Sequence, residues 1–262
     1  MNSKPAVLIT GASSGIGAVY ADRFARRGHD LVLVARDGSR LEQLADRLHR
    51  DAGVQVDVLR ADVTNDRDIA AVETRLREDT RIGVLVNNAG AVLPGQFLDQ
   101  SSNDVAGLIA LNVTALTRLT AAVAPHMAAA GEGSIINLAS VVGLAPEIGM
   151  TVYGATKAFV LFLTQGLNLE LGSKGVYAQA VLPAATRTEI WERSGRDVEA
   201  LSAVMTTEEL VDAALVGFDR HETVTIPPLP DAGQWTAFDA ARKAMLPNFM
   251  QAHAAERYRT AV

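Results

Sequence analysis

From residue 6 to residue 226, short runs rich in Val, Ile, Leu and Ala alternate with longer stretches of helical periodicity. A short, continuously apolar run can be a strand only if both its faces are covered, and the intervening helices supply that cover. The alternation therefore predicts a doubly wound α/β fold, with helices on both faces of a seven-stranded, mostly parallel sheet. Predicted strands are 6–10, 30–35, 54–61, 84–87, 134–140, 176–182 and 223–226. Predicted helices are 15–27, 39–52, 66–78, 103–130, 152–171, 208–220 and 235–258.

No low-complexity tract or Pro/Gly/Ser-rich linker interrupts this rhythm, so the 262 residues read as one domain, 1–262. Two stretches depart from it. Residues 184–206 are long for a connection between a strand and a helix, which predicts a loop or lid. The segment 230–262 predicts a helical C-terminal extension, either a flap over the pocket or a subunit interface, because its aromatics Trp235, Phe238, Phe249 and Tyr258 need cover.

Apolar residues at 48% and charged residues at 21% fit a chain with a sizeable core. A net charge of −6 without a basic block argues against nucleic-acid and anionic-membrane partners. There are no cysteines, and the five histidines are scattered, so no metal site is expected. The opening apolar run is too short for a signal peptide, and no stretch approaches the ~18 apolar residues of a membrane span. A cytoplasmic protein is expected.

Thr10-Gly11-Ala12-Ser13-Ser14-Gly15-Ile16-Gly17 ends the first strand and opens the first helix. Glycines permit a tight turn and close approach, and a helix N-terminus presents free N–H groups, which together suit a dinucleotide pyrophosphate on a Rossmann-like sheet. The second strand closes on Ala35-Arg36. An NAD site would place an acid there for the ribose hydroxyls, whereas Arg36 offers a forked cation for a 2′-phosphate. NADP(H) is thus favoured over NAD(H). Asp37 could oppose this by pairing with Arg36 or repelling the phosphate, and it is expected to point into solvent. Asp62-Val63 and Asn87-Asn88-Ala89-Gly90 close the third and fourth strands, at the ends where ligands bind in such sheets.

Ser140 ends the fifth strand, and Tyr153 and Lys157 follow four residues apart at a helix start. That spacing puts phenol and ammonium on one helix face. A phenol of reference pKa about 10 is a poor acid or base at neutral pH, and a nearby cation is expected to lower it. Ser140 would hold the reacting oxygen.

With these residues in this order, the chain resembles the short-chain dehydrogenase/reductase family in its single-domain form, over residues 4–226. The resemblance rests on the glycine-rich turn, Asp62, Asn87-Asn88-Ala89-Gly90, Asn112, Ser140, Tyr153-Gly154-Ala155-Thr156-Lys157 and the segment from Pro183. It implies an NADP-dependent oxidoreductase, a carbonyl reductase or alcohol dehydrogenase, that moves a hydride between the nicotinamide and a carbonyl or alcohol carbon. Its catalytic residues would be Asn112, Ser140, Tyr153 and Lys157, with Tyr153 as general acid or base. Lys157 would lower the tyrosine's pKa and bind the nicotinamide ribose, and Asn112 would hold a water linking Lys157 to solvent. The cofactor would contact Gly11, Ser13, Ser14, Gly15, Ile16, Gly17, Arg36, Asp62, Val63, Asn88, Ala89, Gly90, Tyr153, Lys157, Pro183, Ala185 and Thr188. A homodimer or homotetramer is implied, formed through the two long helices. The family's usual Pro-Gly is Pro183-Ala184 here, which narrows the pocket beside the nicotinamide.

Candidate pocket residues are Leu93, Val141, Val142, Leu144, Met150, Ala184 and Trp191, with Trp191 either a lid anchor or a packing residue. Their apolar character predicts a neutral, hydrophobic ketone, aldehyde or alcohol. The alternative from another functional class is a catalytically idle NADP-binding sensor or scaffold on the same fold.

Overall fold

In the computed structural model, which describes residues 4–193 and 197–259, the chain divides into two compact units, Met1–Pro227 and Pro228–Val262. The first holds seven parallel strands in the order β3-β2-β1-β4-β5-β6-β7. They are β1 (Ala6–Thr10), β2 (Leu31–Ala35), β3 (Val56–Arg60), β4 (Ile82–Asn87), β5 (Gly133–Leu138), β6 (Val176–Val181) and β7 (Val224–Thr225). The helices of this unit are α1 (Gly15–Arg26), α2 (Gly38–Ala52), α3 (Asp66–Glu78), α4 (Ser102–Ile109), α5 (Leu116–Ala130), α6 (Thr151–Leu171), α7 (Ile190–Arg193) and α8 (Thr207–Asp219).

Strand periodicity feeds two apolar layers. From β1, Val7 and Ile9 join Tyr20, Phe24, Leu41, Leu48, Val211 and Leu215 on the face covered by α1, α2 and α8. The intervening Ala6 and Leu8 join Ile69, Val72, Leu76, Leu119, Val123 and Met127 on the face covered by α3 and α5. Covering both faces is what makes these strands continuously apolar. Strand β1 pairs with β2 on one side and β4 on the other, so the winding reverses there and leaves a crevice at the strand C-termini.

One predicted helix is not continuous. Between α4 and α5 the residues Ala110–Ala115 form a π-helical turn with Asn112 buried inside it. Ser102–Ala130 is also long and apolar enough to cross a membrane by length and composition, with a window of mean hydropathy 1.5, which corrects the expectation that no stretch would approach this. Asn112, Thr117, Arg118 and Thr120 break the apolar run in the sequence, and Leu108, Leu116, Leu119 and Met127 are buried in the fold.

In the second unit, α9 (Ala232–Ala244) starts at the Asp231 cap and brings the Trp235 and Phe238 rings to 5.6 Å. It is shorter than the predicted 235–258, and among the described residues only single turns follow, at Leu246–Asn248 and Glu256–Tyr258. Pro247 explains the break, because it has no N–H to donate to the Lys243 carbonyl four residues back and so cannot continue the α-helical hydrogen bonds.

Candidate active site

A cavity of about 790 Å³ opens at the C-terminal ends of the strands. Its volume falls in the range of small-molecule sites. It has a charged, exposed end beside β2 and a buried end between β5 and α6.

The glycine-rich turn forms one wall, with Gly11, Ser13, Ser14, Gly15 and Ile16 lining the cavity. Asp37, Asn65, Ser101 and Thr206 each cap a helix through the side chain, but Ser14 at the head of α1 makes no such bond. The Ser14 hydroxyl donates instead to Glu189 Oε2 at 3.5 Å, so it does not cap the first-turn amides of α1, which suit an anionic group. Gly11 has φ +65°, and a Cβ there would lie 2.9 Å from Asn88 Nδ2. These features fit a dinucleotide pyrophosphate.

Gly17, predicted as a cofactor contact, does not line the cavity. A Cβ at this position would stand 2.4 Å from the Gly11 carbonyl oxygen, so its glycine serves close packing of α1 on the turn. Asn88 lines the cavity and also clamps β1 to β4, its Nδ2 donating to the carbonyls of Thr10 and Gly11 at 2.9 and 3.1 Å. Ala89, Gly90, Asp62 and Val63 also line the cavity.

At the exposed end, Arg36 Nη1 lies 4.0 Å from Asp62 Oδ2, and the arginine side chain is 71% exposed. Burial raises the Asp62 carboxyl pKa, but bonds from the Thr64 hydroxyl and amide, with the charge of Arg36, outweigh it and leave a net lowering. Asp37 does not simply face solvent. It lines the cavity, and its carboxylate accepts from the Arg40 amide at 3.1 Å and the Ser39 hydroxyl at 2.8 Å. Those bonds hold its pKa below the usual carboxylate range.

Two residues of this end were not singled out in the sequence. Arg40 Nη1 bonds Glu189 Oε1 at 2.7 Å, joining α2 to the segment before α7, and both residues line the cavity. A separation of 149 positions hides such a pair from any local pattern.

At the buried end, Ser140, Tyr153 and Lys157 converge. Ser140 Oγ donates to the Pro183 carbonyl at 3.2 Å and accepts from the Val142 amide, also at 3.2 Å. Lys157 is 6% exposed and its Nζ donates to the Leu138 carbonyl at 2.7 Å, standing 5.6 Å from the centre of the Tyr153 ring. Burial pushes the lysine pKa down to about 8. Burial pushes the Tyr153 hydroxyl up to about 12, against a hydrogen bond with Ser140 that works the other way. The expected lowering of the phenol by Lys157 is therefore not found, desolvation prevails over the Ser140 bond, and the phenol stays protonated throughout the neutral range.

Asn112 lies behind this site rather than on the cavity wall. The π-helical turn directs its amide so that Nδ2 donates to the Ala91 carbonyl at 3.0 Å and to Thr156 Oγ1 at 3.1 Å, while Oδ1 accepts from the Ala91 amide at 3.0 Å. It ties the turn after β4 to α6.

Pro183, Ala185 and Thr188 line the cavity, as do Val141, Val142, Met150, Ala184 and Trp191. Leu93 and Leu144 do not. The chain after Gly90 turns Ala91 and Val92 inward instead of Leu93. The tight turn Val141–Gly143 packs against the α6 backbone, where a Cβ on Gly143 would meet the Ala158 nitrogen at 2.7 Å, so the chain has left the cavity by Leu144. Ile148, Ile190, Leu201 and Ala203 complete the apolar wall and were not anticipated. Trp191 Nε1 donates to the Thr186 carbonyl at 2.6 Å, fixing its ring in α7. Of the predicted lid, residues 194–196 lie outside the described residues.

Residues 5–199 match the short chain dehydrogenase family. Among solved structures, a short-chain dehydrogenase from Sphingobium yanoikuyae in complex with NADPH is 64% identical, covering 97% of this chain and 100% of that one with a TM-score of 0.96. A bulky-bulky ketone specific alcohol dehydrogenase from Comamonas testosteroni is 59% identical over 99% of this chain and 100% of that one, with a TM-score of 0.92. The very-long-chain 3-oxoacyl-CoA reductase of Bos taurus is 33% identical over 83% of this chain and 72% of its own length. The same-named protein of Mus musculus is matched over 60% of its length.

Proposed function

Because the chain belongs to the short-chain dehydrogenase/reductase family, we propose that it is an NADPH-dependent reductase of neutral, bulky, apolar ketones and aldehydes, with Tyr153 as the proton donor. The observation that carries this reading is a single cavity in which Ser140, Tyr153 and Lys157 form a polar pole against a wall of Val142, Ile148, Met150, Ile190, Trp191 and Leu201. Gly11, Ser13, Ser14, Gly15 and Ile16 would hold a nicotinamide dinucleotide, which would supply the hydride when bound. Ser140 and Tyr153 hold the carbonyl oxygen between two hydroxyls and stabilise the negative charge that develops on it. Tyr153, protonated because burial lifts its pKa to about 12, delivers its proton to that oxygen. Lys157, buried beside it, keeps a positive charge at the pole up to about pH 8.

Arg36 supports NADPH over NADH, since its guanidinium is exposed at the end of β2 where a 2′-phosphate would arrive and Ala35 offers no carboxylate to the ribose. The bulky character of the substrate is supported by the apolar wall and by the similarity to the Comamonas enzyme.

A homodimer or homotetramer through α6 is part of the same reading. Phe159, Phe162 and Leu169 share one face of that helix, and Phe162 and Leu169 are 76% and 86% exposed. Light scattering is expected to show an oligomer that Phe162→Asp/Leu169→Asp dissociates, and a monomeric parent would refute this part.

The reaction is tested by following NADPH oxidation against a panel of bulky aryl and alkyl ketones, matched with carboxylated and phosphorylated carbonyl compounds. Turnover is expected for the bulky neutral ketones. No oxidation across the panel, or a preference for the charged members, would overturn the reading.

A further inference from the structure

Behind the reacting groups, a row of hydrogen-bonded side chains crosses four elements of the core. Asn87 at the end of β4 donates through Nδ2 to Thr120 Oγ1 of α5 at 3.1 Å and to Asn137 Oδ1 of β5 at 2.9 Å. Asn137 then donates through Nδ2 to Thr164 Oγ1 of α6 at 2.9 Å, and Thr164 donates to the Val160 carbonyl at 2.7 Å. All four side chains are buried. None of them lines the cavity.

An apolar helix lying on an apolar sheet face is held by contacts that have little directional preference. Hydrogen bonds do have one, and buried polar groups cost free energy unless they are satisfied in a particular geometry. On α6, Lys157 and Thr164 are seven positions apart, so they lie on the same stripe about 10 Å apart along the axis. Both are fastened to successive residues of β5. Lys157 Nζ donates to the Leu138 carbonyl at 2.7 Å, and Thr164 Oγ1 accepts from Asn137. Two attachment points on one stripe oppose both rotation and sliding of the helix. Tyr153 rides on the first turn of this helix, and Ser140 lies two residues beyond the end of β5.

We propose that Asn137 and Thr164 are positioning residues, whose hydrogen bond fixes the rotation of α6 against β5 and thereby sets the distance of Tyr153 and Lys157 from Ser140. The inference rests on the reductase reading for its kinetic consequence but not for its structural one. Asn168 reinforces the docking on β6, its Nδ2 donating to the Ala178 carbonyl at 2.6 Å and its Oδ1 accepting from the Ala178 amide at 3.0 Å. Those two bonds leave α6 attached to the sheet in the test variants, so loss of the Thr164 contact alters alignment rather than detaching the helix.

The experiment compares Thr164→Val, Thr164→Ala and Thr164→Ser with the parent, measuring kcat, KM for a bulky ketone, NADPH affinity by fluorescence titration and the crystal structure of each folded variant. Displacement of reacting groups by about 1 Å costs as much as about a hundredfold in rate. Thr164→Val and Thr164→Ala are expected to lose about ten- to a hundredfold in kcat with KM and NADPH affinity within about threefold, and to show a longer Ser140–Tyr153 separation. Thr164→Ser, which keeps the oxygen, is expected to retain parental kcat and geometry. Thr164→Ala adds no bulk and carries the test where Thr164→Val does not fold. The proposal is overturned if Thr164→Ala keeps both kcat and the Ser140–Tyr153 separation, or if Thr164→Ser loses as much as Thr164→Ala. A parent that oxidises NADPH with none of the ketones refutes the reductase reading instead, and the crystallographic comparison then decides the positioning role alone.

Discussion

Arg36 and Lys157 are cations at opposite ends of one cavity, under opposite physical regimes. The Arg36 side chain is 71% exposed and its carboxylate neighbour Asp62 is 4.0 Å away, so solvent screens its interactions. Lys157 is 6% exposed, and desolvation alone moves its pKa from 10.5 to about 8. A charge at the exposed end can select a ligand at little cost to the fold. A charge at the buried end destabilises the fold, as the lowered lysine pKa shows. Substitutions at the two ends should therefore differ in kind as well as in size.

The largest contrast is expected at Lys157. Lys157→Met should lower kcat by about 10²–10⁴-fold and weaken NADPH binding, yet make the protein more stable at neutral pH. A lowering of the pKa from 10.5 to about 8 corresponds to about 3 kcal/mol against folding while the lysine is charged, less about 1 kcal/mol for the lost bond to the Leu138 carbonyl. The sign follows from proton uptake. Below about pH 8 the lysine is charged in both folded and unfolded chains and the full penalty applies, while above 10.5 it is neutral in both and the penalty is gone. Parental stability should thus rise relative to Lys157→Met across that window, measured by denaturant titration at several pH values. A variant less stable than the parent at pH 7, with a flat difference through the window, would break the contrast.

At the exposed end the expected effect is smaller and confined to the cofactor. Arg36→Ala should weaken NADPH by roughly tenfold, the low end for a charge-assisted contact, and leave NADH within about twofold. Equal weakening of both dinucleotides would remove Arg36 as the selecting residue and turn attention to Arg40, which bonds Glu189 across the same end.

Smallest of all is the expected effect of Trp191→Ala, on the wall between the ends. KM for bulky ketones should rise by roughly three- to tenfold, as expected for lost apolar burial, with small ketones and NADPH affinity nearly unaffected. Uniform kinetics across small and bulky ketones would make Trp191 a packing residue, held by its bond to the Thr186 carbonyl.

The same contrast governs what the sequence could tell. Continuous apolar strands, the glycine-rich turn and the Tyr153–Lys157 spacing are local patterns, and the sheet and the buried pole follow from them. The π-helical turn around Asn112 leaves no local mark in the sequence, and with it goes the tie that Asn112 makes between Ala91 and Thr156. At Gly17 the close approach that glycine allows is toward the Gly11 carbonyl, and a glycine-rich motif alone does not say whether the neighbour is ligand or backbone. Leu93 and Leu144 lie near strand ends but outside the cavity lining, because one residue more or less in a turn decides which side chains face in. Desolvation of Tyr153 depends on the whole surrounding fold, so its pKa near 12 was beyond any spacing argument.

The central claim, that the exposed end chooses the dinucleotide while the buried pole supplies the proton, is tested most directly by Tyr153→Phe. On the same samples, NADPH affinity and kcat for reduction of a bulky ketone would be measured at neutral pH. The predicted result is a kcat lower by about 10²–10⁴-fold with NADPH affinity within about twofold of the parent. A kcat within about tenfold of the parent would contradict it, since the proton would then come from elsewhere.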